Sequence, residues 1–257
     1  FIKEDMLHVI SGNYPGNYQI TYIPCRGVEK GSEKSLAIVN ERLYYKARTA
    51  ICVYDGASPA TVSNELGDVA YKNAVGGGLG NKYYISMQDA AGTWHMFVYD
   101  TALGLWHKED NTHVMEFATH EGELFYIDAV TKKIMSVGGR LSVHAGGTQY
   151  DAEHGAVEND VAWYAESGDM GLDLPDTKYI SRLLIRLEVE ANMSITIGLK
   201  YDSAGAWDEH TITVKTPLRT VKLPIYTRRC DHLRMKLSGT GACKIFSITK
   251  TVEVGGE

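Results

Sequence analysis

A hairpin that recurs at nearly constant spacing limits the fold more than any other feature of this chain. RLYYKARTAICVYDG at 42–56, KYYISMQDAAGTWHMFVYDT at 82–101 and ELFYIDAVTKKIMSV at 123–137 align strand for strand. Leu43, Tyr83 and Leu124 fall 40 and 41 residues apart, and Val9, Val53 and Val98 fall 44 and 45 apart. A fixed period of this length marks a unit that packs on copies of itself. Leu43, Tyr45 and Ala47 alternate with Arg42, Tyr44, Lys46 and Arg48. Tyr83, Ile85 and Met87 alternate in the same way with Lys82, Tyr84, Ser86 and Gln88, which is the two-residue period of a strand. Short apolar stretches precede the hairpins at 35–39, 69–75 and 114–118, and 104–109 follows the second as an outer strand. Four short strands per ~40 residues predict a β-propeller blade. Blades pack both faces on their neighbours, so strands apolar on more than one side are expected.

About three blades and the tail of a fourth are legible, whereas closed propellers have roughly 4–8. The opening MLHVISG matches AICVYDG in register, Gly12 against Gly56, so the chain is expected to begin inside a repeat. That leaves an uncovered face near the first residues, to be closed by upstream blades or by another chain. The segment FIKEDMLHVI carries charges where a signal peptide has its apolar core. With Phe1 as first residue, the chain reads as a fragment or processed product.

The pattern divides the chain into blades at 1–140, a Gly-rich linker or loop at 141–159 and a second domain at 160–257. In that domain Leu183, Ile185, Leu187 and Val189 oppose Arg182, Arg186, Glu188 and Glu190. Ile195, Ile197, Leu199 and Tyr201 follow, then a YDSAGAWDEH hairpin; Val221, Leu223 and Ile225, and Leu233, Met235 and Leu237, give two more strands. Gly239-Thr240-Gly241 is expected to turn the chain into CKIFSITK. With VAWYAE at 161–166, these seven or eight strands with one buried face each predict an antiparallel β-sandwich or jelly roll. High Gly (26), low Pro (6) and abundant Tyr (16) suit such turn-rich sheet. The fold class expected is all-β throughout.

Charge narrows the partners. The 26 basic and 32 acidic residues split at residue 157 into 13 against 18 and 13 against 14, so neither part is a basic domain for gripping nucleic acid. No apolar run exceeds five residues, too short to cross a bilayer as a helix. Cys25, Cys52, Cys230 and Cys243 lack close pairing and read as free thiols.

Each candidate for chemistry has a plainer alternative. GGGLGNK at 76–82 resembles a phosphate loop, but Asn81 precedes Lys82 and a strand follows, so it reads as a turn between blade strands. His95, His107, His113 and His120, near Glu109 and Asp110, lack metal-ligand spacing. Asp55 and Asp100 recur because the repeat does, and read as caps of tight turns ahead of a glycosidase pair. Trp94 and Trp106 are expected between blades; Trp207, near a hairpin tip, is the best candidate to stack on a sugar. Arg182, Arg186, Arg228, Arg229, Arg234 and Lys236 could form a basic patch, diluted by Glu188, Glu190 and Asp231. No catalytic, cofactor or metal site is expected, and none of the motifs of a hydrolase or cofactor enzyme is present.

The runs KGSEKSLAIVNERLYYKARTAICVYDG, NKYYISMQDAAGTWHMFVYDTALGLWHKEDNTH and RRCDHLRMKLSGTGACKIFSITKT resemble a family of structural proteins encoded in prophages of gut Firmicutes. More loosely, they resemble propeller proteins of phage tail hubs and nozzles. The resemblance implies a virion structural protein of a tailed bacteriophage, made in the host cytoplasm and placed in the neck or tail. Its partners would be portal or tail proteins in a homo-oligomeric ring, with no membrane and no sequence-specific nucleic acid. Two other readings stay open. One is a receptor- or carbohydrate-binding tail module, which calls for two or more exposed aromatics on one sandwich face beside carboxylates and amides. The other is a propeller glycosidase, which calls for two converging carboxylates.

Overall fold

The computed structural model describes residues 2–137, 162–172, 178–189, 192–216, 218–222 and 229–254. Among them the chain is all-β and every strand pairing is antiparallel; three short 3-10 turns take the place of helices. It divides into two compact units, Phe1–Gly155 and Ala156–Glu257. The Gly-rich stretch 141–159, and Leu223, Ile225 and Arg228, lie outside the described residues.

The first unit opens with a two-stranded hairpin, β1 (Met6–Ser11) and β2 (Gln19–Pro24). A four-stranded meander follows: β3 (Ala37–Val39), β4 (Arg42–Lys46), β5 (Ile51–Tyr54) and β6 (Ala60–Thr61). The second is β7 (Tyr71–Leu79), β8 (Lys82–Asp89), β9 (Trp94–Asp100) and β10 (Leu105–Asp110). Then come three strands, β11 (Val114–His120), β12 (Glu123–Asp128) and β13 (Ile134–Ser136). Leu43, Tyr83 and Leu124 are each the second residue of the second strand of their sheet.

The alternation in β8 has a direct physical outcome. Tyr83, Ile85 and Met87 are buried with Val39, Tyr44 and Ile51 of the preceding meander. Tyr84 turns the other way, into a cluster with Val98 and Leu124 that also takes in Phe117. Tyr44 stacks on Tyr83 with centroids 5.3 Å apart, and the buried Tyr83 hydroxyl donates to Ser35 O at 2.7 Å. On the far side, Ser86 Oγ donates to Thr112 O at 2.7 Å and accepts from Val114 N. Strand β8 is thus closed on both faces by its neighbours.

That closeness corrects the reading of the glycine run. Gly76, Gly77 and Gly78 lie inside β7, and only Gly80 and Asn81 make the turn into β8. A Cβ on Gly76 would stand 2.5 Å from Ser35 O, one on Gly77 2.8 Å from Phe117 Cβ, and one on Gly78 2.8 Å from Val39 Cγ2. Glycine in a strand interior lets another backbone approach, and here it admits the sheets on both sides.

The β1–β2 hairpin is mostly exposed. Leu7 is buried, yet Val9, Ile10, Ile20 and Tyr22 are exposed.

The second unit contains two sheets. One has the order β14 (Ala162–Glu166), β20 (Leu233–Thr240), β16 (Met193–Tyr201) and β17 (Asp208–Val214). In the other, β15 (Lys178–Val189) pairs with β18 (Leu218–Lys222), β19 (Arg229–Cys230) and β21 (Cys243–Val254). Leu183, Ile185, Leu187 and Val189 of β15 form one core with Ile195, Ile197 and Leu199 of β16 and Leu233, Met235 and Leu237 of β20. The turn expected at Gly239-Thr240-Gly241 begins only at its last residue: Gly239 and Thr240 belong to β20, and Gly241, at φ +86°, turns the chain. Trp163 occupies the space that a Gly239 side chain would need, 2.8 Å from such a Cβ.

Overpacking a filled seam costs about 1–3 kcal/mol. Gly76→Ala and Gly77→Ala are each expected to destabilise the first unit by about that amount in urea unfolding, with little change in m-value. Gly168→Ala in the second unit, where nothing lies within 4 Å of the added carbon, is expected to change stability by less than about 0.5 kcal/mol.

Candidate functional site

The polar residues of the first unit are engaged in separate local contacts. His95 Nε2 meets Asp89 Oδ2 at 2.8 Å, and His107 Nε2 meets Glu109 Oε1 at 3.1 Å. His113 stacks on Trp94 at 3.6 Å with the rings 9° from parallel, and His120 lies 3.7 Å from Glu121. Among the described residues no three metal-ligating side chains converge. Asp55 Oδ1 accepts from Ala57 N, and Asp100 Oδ1 from Ala102 N, Leu103 N and Asn81 Nδ2, so both cap turns. Trp106 Nε1 donates to Val62 O at 2.5 Å across the seam between the two meanders. Cys25, Cys52 and Cys243 are free thiols, and Cys52 and Cys230 are buried.

A cleft of about 290 Å³ is lined by Lys46, Ser63, Asp68, Tyr71 and Met87. Asp68 is its one carboxylate. The Lys46 ammonium is committed to Glu29 Oε2 at 3.0 Å and to the carbonyls of Ala47 and Arg48. A glycosidase acid needs a carboxyl held protonated near neutrality. Among the described residues, every carboxylate with a displaced proton affinity is displaced downwards. Glu33 is lowered by the Gly31 N–H, Asp89 by His95, Glu109 by His107, Asp128 by the Thr131 N–H and Asp169 by Arg234.

The basic patch of the sequence reading is corrected by the sheet assignment. Arg182 and Arg186 are exposed on β15, whereas Arg234 and Lys236 belong to β20 in the other sheet. The shared core lies between those sheets, so the two pairs face away from each other. Arg234 is also neutralised: its Nε donates to Asp169 Oδ1 at 2.7 Å and its Nη2 to Asp169 Oδ2 at 3.3 Å, and Glu166 lies 3.7 Å away.

What the fold assembles instead is the outer face of the β14–β20–β16–β17 sheet. Opposed residues in an antiparallel pair share a face. One row therefore runs Tyr164, Ser238, Thr196, Thr211, and the next Glu166, Lys236, Gly198, Glu209. Ser194 and Thr213 lie alongside, with their hydroxyls 3.2 Å apart; those of Thr196 and Thr211 are 2.9 Å apart. Tyr164 is 70% exposed. Trp207, just before β17, folds back onto Gly198, where its Cε3 stands 3.1 Å from the position of an added Cβ. Glycine leaves the indole room to lie against the sheet. Lys236 Nζ sits 5.4 Å from the Tyr164 ring centroid and Lys200 Nζ 5.8 Å from that of Trp207, within cation–π range. Part of this face, around Tyr164, Thr196, Lys236 and Ser238, forms an open hollow of about 440 Å³.

The sequence singled out Trp207, correctly placed in the hairpin between β16 and β17, and Lys236, placed in a basic patch. Tyr164 and Lys200 went unremarked. Their signal lies in SITIGLK and HTITV, where hydroxyls take alternate positions and a glycine interrupts a strand.

No protein-family model matches the chain, and no curated protein does. Among solved structures it is similar to an exo-β-1,3-galactanase from Phanerochaete chrysosporium with galactose. That match has TM-score 0.28 and 6% identity, and covers 94% of this chain and 75% of the other. It is also similar to a glycoside hydrolase family 43 arabinoxylan arabinofuranohydrolase from Bacillus subtilis in complex with cellotetraose. There the TM-score is 0.23 and the identity 9%, covering 90% and 56%. The reading as a phage virion component is corrected by these findings: the two structures are a galactanase and an arabinoxylan arabinofuranohydrolase, neither of them a virion protein. The likeness is too loose to transfer an activity.

Burial, reinforced by the nearby Lys132, lowers the His113 pKa below its ordinary 6.5. The neutral ring is therefore the form the fold favours. This contribution is complete above about 6.5 and declines as pH falls through that value. Tryptophan fluorescence followed through an acid titration is expected to change with a midpoint below 6.5, and Trp94→Phe is expected to remove that change.

Proposed function

We propose that this chain is a binding protein, with the outer face of the β14–β20–β16–β17 sheet as its working surface, and that it holds its ligand without transforming it. On this reading the first unit is an arc of β-propeller blades and the second a β-sandwich. The repeating meanders, with strands buried on both faces, support the first assignment. The core shared by two antiparallel sheets supports the second.

One observation carries the functional reading: Tyr164 and Trp207 share an exposed sheet face, each with a lysine ammonium over its ring. Tyr164 is exposed and Trp207 half-buried against Gly198, and aromatic rings beside fixed polar groups are the usual anchors of recognition surfaces. A flat sheet places them rigidly, because neighbouring strands fix their spacing. The downward shifts of the carboxylates favour recognition over acid–base chemistry.

Arrays of immobilised glycans and of single-stranded oligonucleotides, read for both retention and released product, test this proposal. Retention by at least one array, weakened by Tyr164→Ala and without product release, is expected. Product release that Asp68→Asn or Glu109→Gln abolishes would overturn the reading.

A further inference from the structure

Resting on the binding-face reading, we infer that the ligand of this surface is a saccharide chain, spanning the face from Tyr164 to Trp207. The two rings lie on β14 and above β16, with β20 between them. Strand spacing sets them roughly 10–12 Å apart along a diagonal of the sheet. A linear glycan lying on that diagonal would meet one ring near each end and polar groups in between.

The groups between the rings fit sugar hydroxyls. Ser238 and Thr196 separate Tyr164 from the far edge in one row, and Lys236 stands beside Gly198 in the next. Ser and Thr hydroxyls both donate and accept, and an ammonium has three donors. Thr196 and Thr211 hold each other at 2.9 Å, and Ser194 and Thr213 at 3.2 Å, so their orientations are set before a ligand arrives. Among the described residues, neither Lys200 nor Lys236 pairs with a carboxylate; both lie over rings. Each therefore keeps donors for a ligand.

Charge argues against a polyphosphate backbone. Glu166 and Glu209 share the row of Lys236, and Arg234 on the same strand is committed to Asp169. A surface with cations and anions interleaved lacks the run of unopposed positive charge that tracks a nucleic-acid strand. Sugar hydroxyls accept from ammonium groups and donate to carboxylates, so they use both signs.

The test is affinity electrophoresis of the full chain in gels containing soluble β-glucan, xylan, mannan or pectin. Calorimetry with the matching oligosaccharide, and with a single-stranded oligonucleotide, accompanies it. Retardation by at least one polysaccharide is expected. Tyr164→Ala, at an exposed position, is expected to weaken it about tenfold, roughly 1.4 kcal/mol, while Tyr164→Phe retains it. Trp207→Ala is expected to weaken it at least as much, with circular dichroism and the thermal midpoint reporting whether that variant stays folded. No retardation by any of the four, or retardation indifferent to Tyr164→Ala, would overturn the inference. Oligonucleotide binding through the same two residues would overturn the saccharide assignment and leave the binding-face reading standing.

Discussion

Strand β8 has no solvent side, and the first unit is organised around that fact. Tyr83, Ile85 and Met87 pack on one neighbouring sheet and Tyr84 on a cluster toward the other, so a four-stranded meander that would be marginal alone becomes the filling between two others. Burial on both faces leaves no room for side chains along the strand nearest the neighbours. Gly76, Gly77 and Gly78 meet that demand, and the Tyr83 hydroxyl is satisfied across the seam by Ser35 O. A buried hydroxyl without such a partner would carry a desolvation penalty.

The second unit obeys a different arithmetic. Each of its sheets buries one face and shows the other, so alternate residues are released from packing. On β14, β16, β17 and β20 those positions hold Ser, Thr, Lys, Glu and Tyr around a single glycine. Gly198 is where the two requirements meet. It leaves the core intact on one side and gives Trp207 a seat on the other, and the indole in turn holds Lys200. A site of this kind needs no cleft and no perturbed acid, only a rigid plane and the right residues on it.

Much of the fold was legible because both units are periodic. Leu43, Tyr83 and Leu124 mark equivalent places in successive sheets, and the alternation in β15 and β20 matches the observed burial. The misreadings share a cause. Gly76–Gly78 and Gly239 look like turn residues along the chain, because glycine serves turns and close approaches equally well. Only the presence of Ser35, Phe117 or Trp163 against them separates the two uses. The supposed basic patch failed for a related reason: β15 and β20 both alternate cleanly, but the sequence does not say that they belong to sheets facing opposite ways. The resemblance to prophage proteins carried no residue-level chemistry.

The amino-acid sequence by itself determined that this chain is sheet throughout, where its strands alternate and which side of each strand is apolar, since a two-residue period is a local property. Tertiary structure alone decided which strands became neighbours, and so brought Tyr164, Trp207 and Lys236 onto one surface although Lys236 lies 72 positions after Tyr164. Strand order fixes such meetings, and strand order is set by how sheets close over a common core, which no window of sequence contains.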